Sequence, residues 1–201
     1  MRSLLGGKGA GLAEMTRIGL PVPPGMTITT EVCRQYYKVG NRFPDGLTNQ
    51  IQAGLATIEQ KAGKKFGDAK NPLLLSVRSG AIFSMPGMMD TILNLGLNDV
   101  TVEGMAAATS NRRFAFDAYR RFIQMFGDVV QEIPKHDFEK LLTQRKETQG
   151  VKFDQELTAE SLEALVGDYK KLVYERTSRP FPQDPMEQLF MAIEAVFRSW
   201  N

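Results

Sequence analysis

The chain has little of several residue types, and each shortage excludes something. One cysteine, Cys33, stands in 201 residues, so an internal disulfide framework and a cysteine-based zinc cluster are both excluded, and a reducing intracellular setting is favoured. One histidine, His136, sits in "IPKHDFEK" at an expected helix start with no second metal-type ligand pattern beside it, and reads as a solvated cap residue. Charge of one sign is also missing. The 25 Lys and Arg nearly cancel the 23 Asp and Glu, leaving a net +2 that offers no broad footprint for nucleic acid or an anionic membrane. No apolar run approaches the roughly 18 residues of a membrane span, and the first residues lack the apolar core of a secretory signal. Internal repeats and low-complexity tracts are absent. What remains is 42% hydrophobic residues, ordinary for a soluble domain with a real core, and the expected setting is cytoplasmic.

The first hundred residues mix helix and strand signals. "KGAGLAEMTRIG" spaces Leu12, Met15 and Ile18 as a helix after a loop that ends in the double glycine of Gly6 and Gly7, with Gly19 and Pro21 as its stop. "GMTITT" predicts a short strand, and Thr30 predicts a cap for a helix through Tyr37 that Gly40 ends. Ile51, Leu55 and Ile58 share one face of a helix over Thr48 to Ala62. "PLLLSVRS" reads as a buried strand and "TILNLGL" as a second extended piece. From about Val100 the strand signals vanish. Ala115, Tyr119, Phe122, Ile123 and Phe126 mark an amphipathic helix, and helices follow at Asp137 to Glu147 and at Ala159 to Glu175, the latter capped by Thr158. "SRPFPQDP" predicts a linker, after which Asp184, Pro185 and Glu187 open a last helix that reaches Trp200.

Two features carry chemistry. Lys8 lies in "GGKGAG", a glycine-rich opening to a helix where backbone N–H groups and the helix dipole favour a phosphate. It is not a Walker motif, and a tight turn whose glycines only permit close packing explains the glycines equally well. Arg78 leaves an apolar strand, and its fixed fork of donors suits a phosphate or carboxylate, whether from a ligand or from a structural ion pair. The loop behind it, "GAIFSMPGMMD", has pliant backbone at Gly80 and Gly87. Its Met85, Met88 and Met89 could face a base or sugar, or fill an irregular core. The basic and aromatic residues of "NRRFAFDAYRRF" fall on a helix's apolar stripe and do not argue for nucleic acid. Cys33 reads as a small buried hydrophobe.

"LLGGKGAGLAEMTRIGLPVPPGMTITTEVC" together with "LLLSVRSGAIFSMPGMMDTILNLGLND" resembles the start of the pyruvate, phosphate dikinase family, and the likeness continues through "RFAFDAYRRFIQMFGDVV" and "FPQDP" to "AVFRSWN". Phosphoenolpyruvate synthases share the general plan but match "SMPGMMDTILNLGLND" less well. The resemblance implies an α+β fold: one lobe of an ATP-grasp-type nucleotide-binding domain over residues 1–97 and 184–201, with an all-helical insertion over 98–183. It implies that ATP is bound with Mg²⁺, whose ligands belong to a second lobe beyond this chain, and that a pyrophosphoryl group passes to a histidine on a mobile central domain, which His136 does not match. Phosphate and pyruvate would be the other substrates of a homodimeric full-length enzyme. By the same resemblance Gly7, Lys8 and Arg78 grip the phosphates, while Gly87 and Met89 belong to a loop closing over the nucleotide. The chain is expected to be a fragment, inactive alone. A synthase-like phosphotransferase and a non-catalytic binding module are the alternatives.

Overall fold

A computed structural model describes residues 1–80 and 91–200. The proposed loop residues Gly87 and Met89, with Met85 and Met88, lie outside the described residues. In chain order the elements are helices α1 (Arg2–Arg17), α2 (Thr30–Lys38) and α3 (Leu47–Ala62), strands β1 (Lys65–Phe66), β2 (Pro72–Leu73), β3 (Leu75–Val77) and β4 (Ile92–Leu95), then α4 (Thr101–Thr109), α5 (Arg112–Val129), α6 (Lys135–Gln149), α7 (Ala159–Thr177) and α8 (Pro185–Arg198). The fold is helix-rich α+β. The chain divides into two compact units, one of residues 1–64, 78–89 and 196–201, the other of residues 65–77 and 90–195.

In the first unit, α2 and α3 bury Cys33, Tyr36, Leu47, Ile51, Leu55 and Ile58. The periodicity that predicts α3 is the periodicity of its buried face. Tyr36 and Phe43 pack on the ring of Phe197 with centroids 5.1 and 6.0 Å away, and the Tyr37 hydroxyl donates to the Phe197 carbonyl. Two expectations are corrected. Residues 21–29 form no strand, because extended Thr and Ile need a partner edge and no described strand pairs with them. Thr30 begins α2 but does not cap it; its hydroxyl donates to the Ser3 carbonyl at 2.7 Å and so ties α2 to α1.

The second unit is built on α5, which packs on α7, α4 and β4. Its inner stripe, Ala115, Phe116, Tyr119, Phe122, Ile123 and Phe126, is essentially inaccessible, as are Leu162, Leu165, Tyr169 and Val173 of α7. Two small sheets complete it: β1 pairs parallel with β2, and β3 antiparallel with β4. The expected single strand over Pro72 to Ser79 is therefore two short ones. β3 is only half-buried, and β4 carries one extra residue opposite Leu75 and Val77. Asn94 supplies that bulge at φ 62°, a left-handed conformation that asparagine tolerates.

α4 crosses backbone at Gly104, where a Cβ would stand 2.1 Å from the Ala69 carbonyl oxygen. Its start is held by Asn98, whose side-chain oxygen accepts from the amides of Val100 and Thr101. Thr158 caps α7 as expected, accepting from the Ser161 amide. "SRPFPQDP" is no linker. Phe181 is buried, with ring centroids of Phe122 and Phe126 each 5.6 Å away. Fully buried Gln188 accepts from the Gly96 amide and donates to the carbonyls of Leu97 and Pro182, all at 2.9 Å. These bonds tie a proline-rich crossing into packed structure, since a buried polar side chain needs such partners.

The arginines of "RRFAFDAYRR" all have partners inside the unit. Arg112 bridges Glu103 and Glu163 and lies over the Phe116 ring, Arg113 donates to the carbonyls of Asp154 and Leu157, and Arg121 pairs with Asp117. Arg120, 3% exposed, reaches Asp117 at 2.8 Å and Asp154 at 2.9 Å. A buried guanidinium requires this double neutralisation. Burial pushes the Asp154 carboxyl upward, but hydrogen bonds from Lys146 and Arg120 outweigh it and hold the group below its ordinary value.

Candidate functional site

The glycine-rich segment is a broken helix. α1 starts at Arg2 and is interrupted at Gly6, whose φ of 70° and ψ of 174° are open only to glycine. The sequence predicts a loop as far as Gly7. The structure shows one short helical turn, the break, and then a helix that restarts at Gly7 with half-buried Lys8 in its first turn. Restarting a helix frees the amides of its first turn from intrahelical bonding. One of them is used at once: the Gly7 amide donates to the Gly80 carbonyl at 2.8 Å.

That bond brings the two candidate chemical features together within the first unit. Gly80 stands two residues after Arg78, and it approaches so closely that a Cβ on Gly6 would lie 1.9 Å from its carbonyl oxygen. The close-packing reading of the glycines therefore holds for Gly6, and the partner it packs against is the segment carrying Arg78. Gly7 and Lys8 lie at one end of this contact and Arg78 at the other.

Arg78 does not emerge from a buried strand. It follows half-buried β3 and is exposed, so burial does not force an anion upon it. Neither Lys8 nor Arg78 forms an ion pair with another described residue. Sequence reasoning did not pick out Ser79, which is fully buried between Arg78 and Gly80 and accepts a hydrogen bond from the Trp200 indole at 2.9 Å. A serine in a "VRSG" turn carries no local signal of that long-range partner.

The remaining candidates lie elsewhere. His136 is 77% exposed at its side chain, with Nε2 3.0 Å from Asp137 Oδ1 at the start of α6. Cys33 is buried, and burial pushes its thiol up. In the second unit an open groove of about 320 Å³ runs between α6 and α7. Its carboxylates Asp137, Asp168 and Glu175 are each paired, with Arg176, Arg145 and Lys171, so it presents little uncompensated charge. Among the described residues no three His, Cys, Asp or Glu side chains converge to hold a metal, and no helix is long and apolar enough to cross a membrane.

Comparison with known proteins defines the class first. Residues 2–59, which hold the broken helix and Lys8, match the family described as pyruvate phosphate dikinase, AMP/ATP-binding domain. The particular relatives follow from the whole chain. It is 55% identical over 202 residues to pyruvate, phosphate dikinase of Clostridium symbiosum, aligning 100% of this chain with 23% of that protein. It is 57% identical over 201 residues to the chloroplastic pyruvate, phosphate dikinase 1 of Arabidopsis thaliana, covering 100% of this chain and 21% of that one. To the Entamoeba histolytica enzyme it is 53% identical over 199 residues, 99% of this chain and 22% of the relative. The chain is thus similar along its whole length to the amino-terminal region of pyruvate, phosphate dikinase, and spans 21% to 23% of the length of these relatives.

Proposed function

We propose that this chain forms one wall of an ATP site of the ATP-grasp type, in which Lys8 and Arg78 hold the phosphates. The observation that carries the reading is the Gly7–Gly80 bond, which joins two cation-bearing segments some seventy residues apart, each without an ion-pair partner among the described residues. Lys8 acts as a compact charge and Arg78 as a two-pronged donor, a division of labour suited to neighbouring phosphate oxygens. Gly87 and Met89 would belong to the segment that closes over the nucleotide.

In the full-length enzyme this wall serves transfer of a pyrophosphoryl group from ATP to a histidine of a central domain, releasing AMP. The overall reaction is conversion of ATP, phosphate and pyruvate to AMP, pyrophosphate and phosphoenolpyruvate, and the enzyme acts as a homodimer. The described residues provide no metal cluster, so Mg²⁺ would be held by groups from outside them. The lobe comprises residues 1–97 and 184–201 and the helical insertion residues 98–183. This division follows the family's chain topology, whereas the compact units follow packing. The compartment is cytoplasmic in this reading, although the Arabidopsis relative is called chloroplastic.

Charge develops on the transferring phosphates in the transition state, so a fixed cation matters most there, on the order of 10²- to 10³-fold per lost electrostatic contact. Lys8→Ala in the full-length enzyme should therefore slow single-turnover AMP formation by that factor while weakening ATP binding less. A variant within about threefold of the parent would remove Lys8 from this role.

A further inference from the structure

Two successive residues after Arg78 are each tied to a different element of the first unit. Gly80 accepts from the Gly7 amide at 2.8 Å. Ser79, with no exposed surface, accepts from Trp200 Nε1 at 2.9 Å. The indole has a single polar atom, a donor, and this bond uses it, while Trp200 as a whole residue is 37% exposed. Ser79 is thereby fixed from one side and Gly80 from the other. Arg78 has no such tether: its side chain is exposed and forms no ion pair with a described residue. The direction in which its guanidinium leaves the chain is set by the backbone that Ser79 and Gly80 anchor. A two-pronged grip on phosphate tolerates errors of only about 0.5 Å and 10–20°.

Resting on the reading of Lys8 and Arg78 as phosphate ligands, we propose that Trp200 is a positioning residue for that site. Its indole N–H holds the Ser79 hydroxyl, the pair sets the backbone from which Arg78 reaches phosphate, and a phosphate-bearing nucleotide bound at Arg78 is felt at the indole. Trp200 touches no reacting atom in this scheme. Its contribution is geometric, passed through one hydrogen bond to the residue beside Arg78.

Trp200 is the only tryptophan, so its indole N–H gives one resonance in a ¹H–¹⁵N spectrum of this chain. The probe is ATP with excess Mg²⁺, titrated against the chain and against Trp200→Phe, Ser79→Ala and the double variant, with thermal midpoints recorded in parallel. The indole resonance of the parent should move with ATP. Each single variant should weaken ATP roughly fivefold, the equilibrium factor of one net neutral hydrogen bond. The double variant should be no weaker than either single, because both remove the same bond. Ser79→Thr, which keeps the acceptor, should restore affinity; a purely structural contact would lower the midpoint and leave the dissociation constant of the folded chain unchanged. If Lys8→Ala and Arg78→Ala weaken ATP but Trp200→Phe and Ser79→Ala stay within twofold of the parent, or their effects multiply, the positioning role is overturned and the phosphate site stands. If ATP moves no amide of Gly7, Lys8 or Gly80 in the parent chain, the phosphate site itself is overturned, and the positioning role with it.

Discussion

The Gly7 amide and the Gly80 carbonyl meet at 2.8 Å, and the bond exists only because Gly6 adopts a backbone conformation that a side chain forbids. A Cβ at residue 6 would overlap the Gly80 oxygen at 1.9 Å, and φ of 70° with ψ of 174° would strain any L residue. Gly11, ten residues into the same α1, faces nothing within 4 Å.

These two glycines make a paired test. Gly6→Ala should destabilise the chain by about 1–3 kcal/mol from backbone strain alone, with more from the clash, and should weaken ATP binding because the Arg78 segment must move away. Gly11→Ala should stabilise by about 0.5–1 kcal/mol, since alanine restricts the unfolded chain and suits a helix interior. Urea unfolding of both variants decides it, and equal effects would show that Gly6 is an ordinary helix glycine.

Much of the helical architecture is legible in the sequence because it is written as periodicity. Leu162, Leu165, Tyr169 and Val173 of α7 recur at three and four residues, and their burial follows directly. What escapes is what depends on a distant partner. α4 is not predicted at all, and the reason for its Gly104 is visible only once the Ala69 carbonyl stands beside it. Prolines around Phe181 signal a linker until the rings of Phe122 and Phe126 close on it. The β propensity of "GMTITT" stays unused because no described strand pairs with it. At the candidate site the chemistry of Lys8 and Arg78 is legible as residue type, whereas the contact between their two segments is not, because it runs through backbone atoms of Gly7 and Gly80.

Gln188 is the buried polar centre of the second unit, with three bonds to backbone groups of Gly96, Leu97 and Pro182. Gln188→Ala orphans one amide and two carbonyls at once, so a loss of about 3 kcal/mol or more is expected, given 1–3 kcal/mol for each buried unsatisfied group. Gln183→Ala also removes an acceptor, from the Asp99 amide, but Gln183 is exposed and water can replace it. That variant should cost under about 1 kcal/mol. Comparable losses in denaturant midpoint would refute the distinction.

Asp154 gives the second unit a pH dependence of defined sign. Lys146 and Arg120 lower its folded carboxyl below the unfolded value of about 3.9. Its stabilisation is therefore fully present above that value and is lost as pH falls through the lower, folded one. The stability difference between the parent and Asp154→Asn should stay constant from neutral pH down to about 5, then shrink below about 4. Urea midpoints at several pH values give the difference; a gap that stays flat on acidification would show that the ion pairs contribute nothing, and one that widens would show the folded carboxyl raised.

Burial also governs Cys33, whose thiol is pushed up. Since the thiolate is the reacting form, a disulfide reagent should label the native chain slowly at neutral pH and at the ordinary thiol rate once urea unfolds the first unit. Fast labelling of the folded chain would contradict the packing of α2.

Arg78→Lys separates the two roles open to an arginine in this position. A structural ion pair would lose stability on any disruption, but Arg78 is exposed and has no described ion-pair partner, so the thermal midpoint should stay within about 1 °C, as for a neutral surface substitution. The ammonium keeps the charge yet offers a point contact in place of two parallel donors. In the full-length enzyme ATP binding should therefore weaken, and single-turnover AMP formation should fall further, roughly 10²-fold in all, because the fork matters most where phosphate charge is redistributed. Calorimetry and quenched-flow measurement on one preparation give both quantities. A lysine variant that turns over like the parent would mean that Arg78 supplies only charge and that its directed grip on phosphate is wrong. A variant that loses stability while turnover per folded molecule is unchanged would return Arg78 to a structural role and leave Lys8 as the one cation of the site.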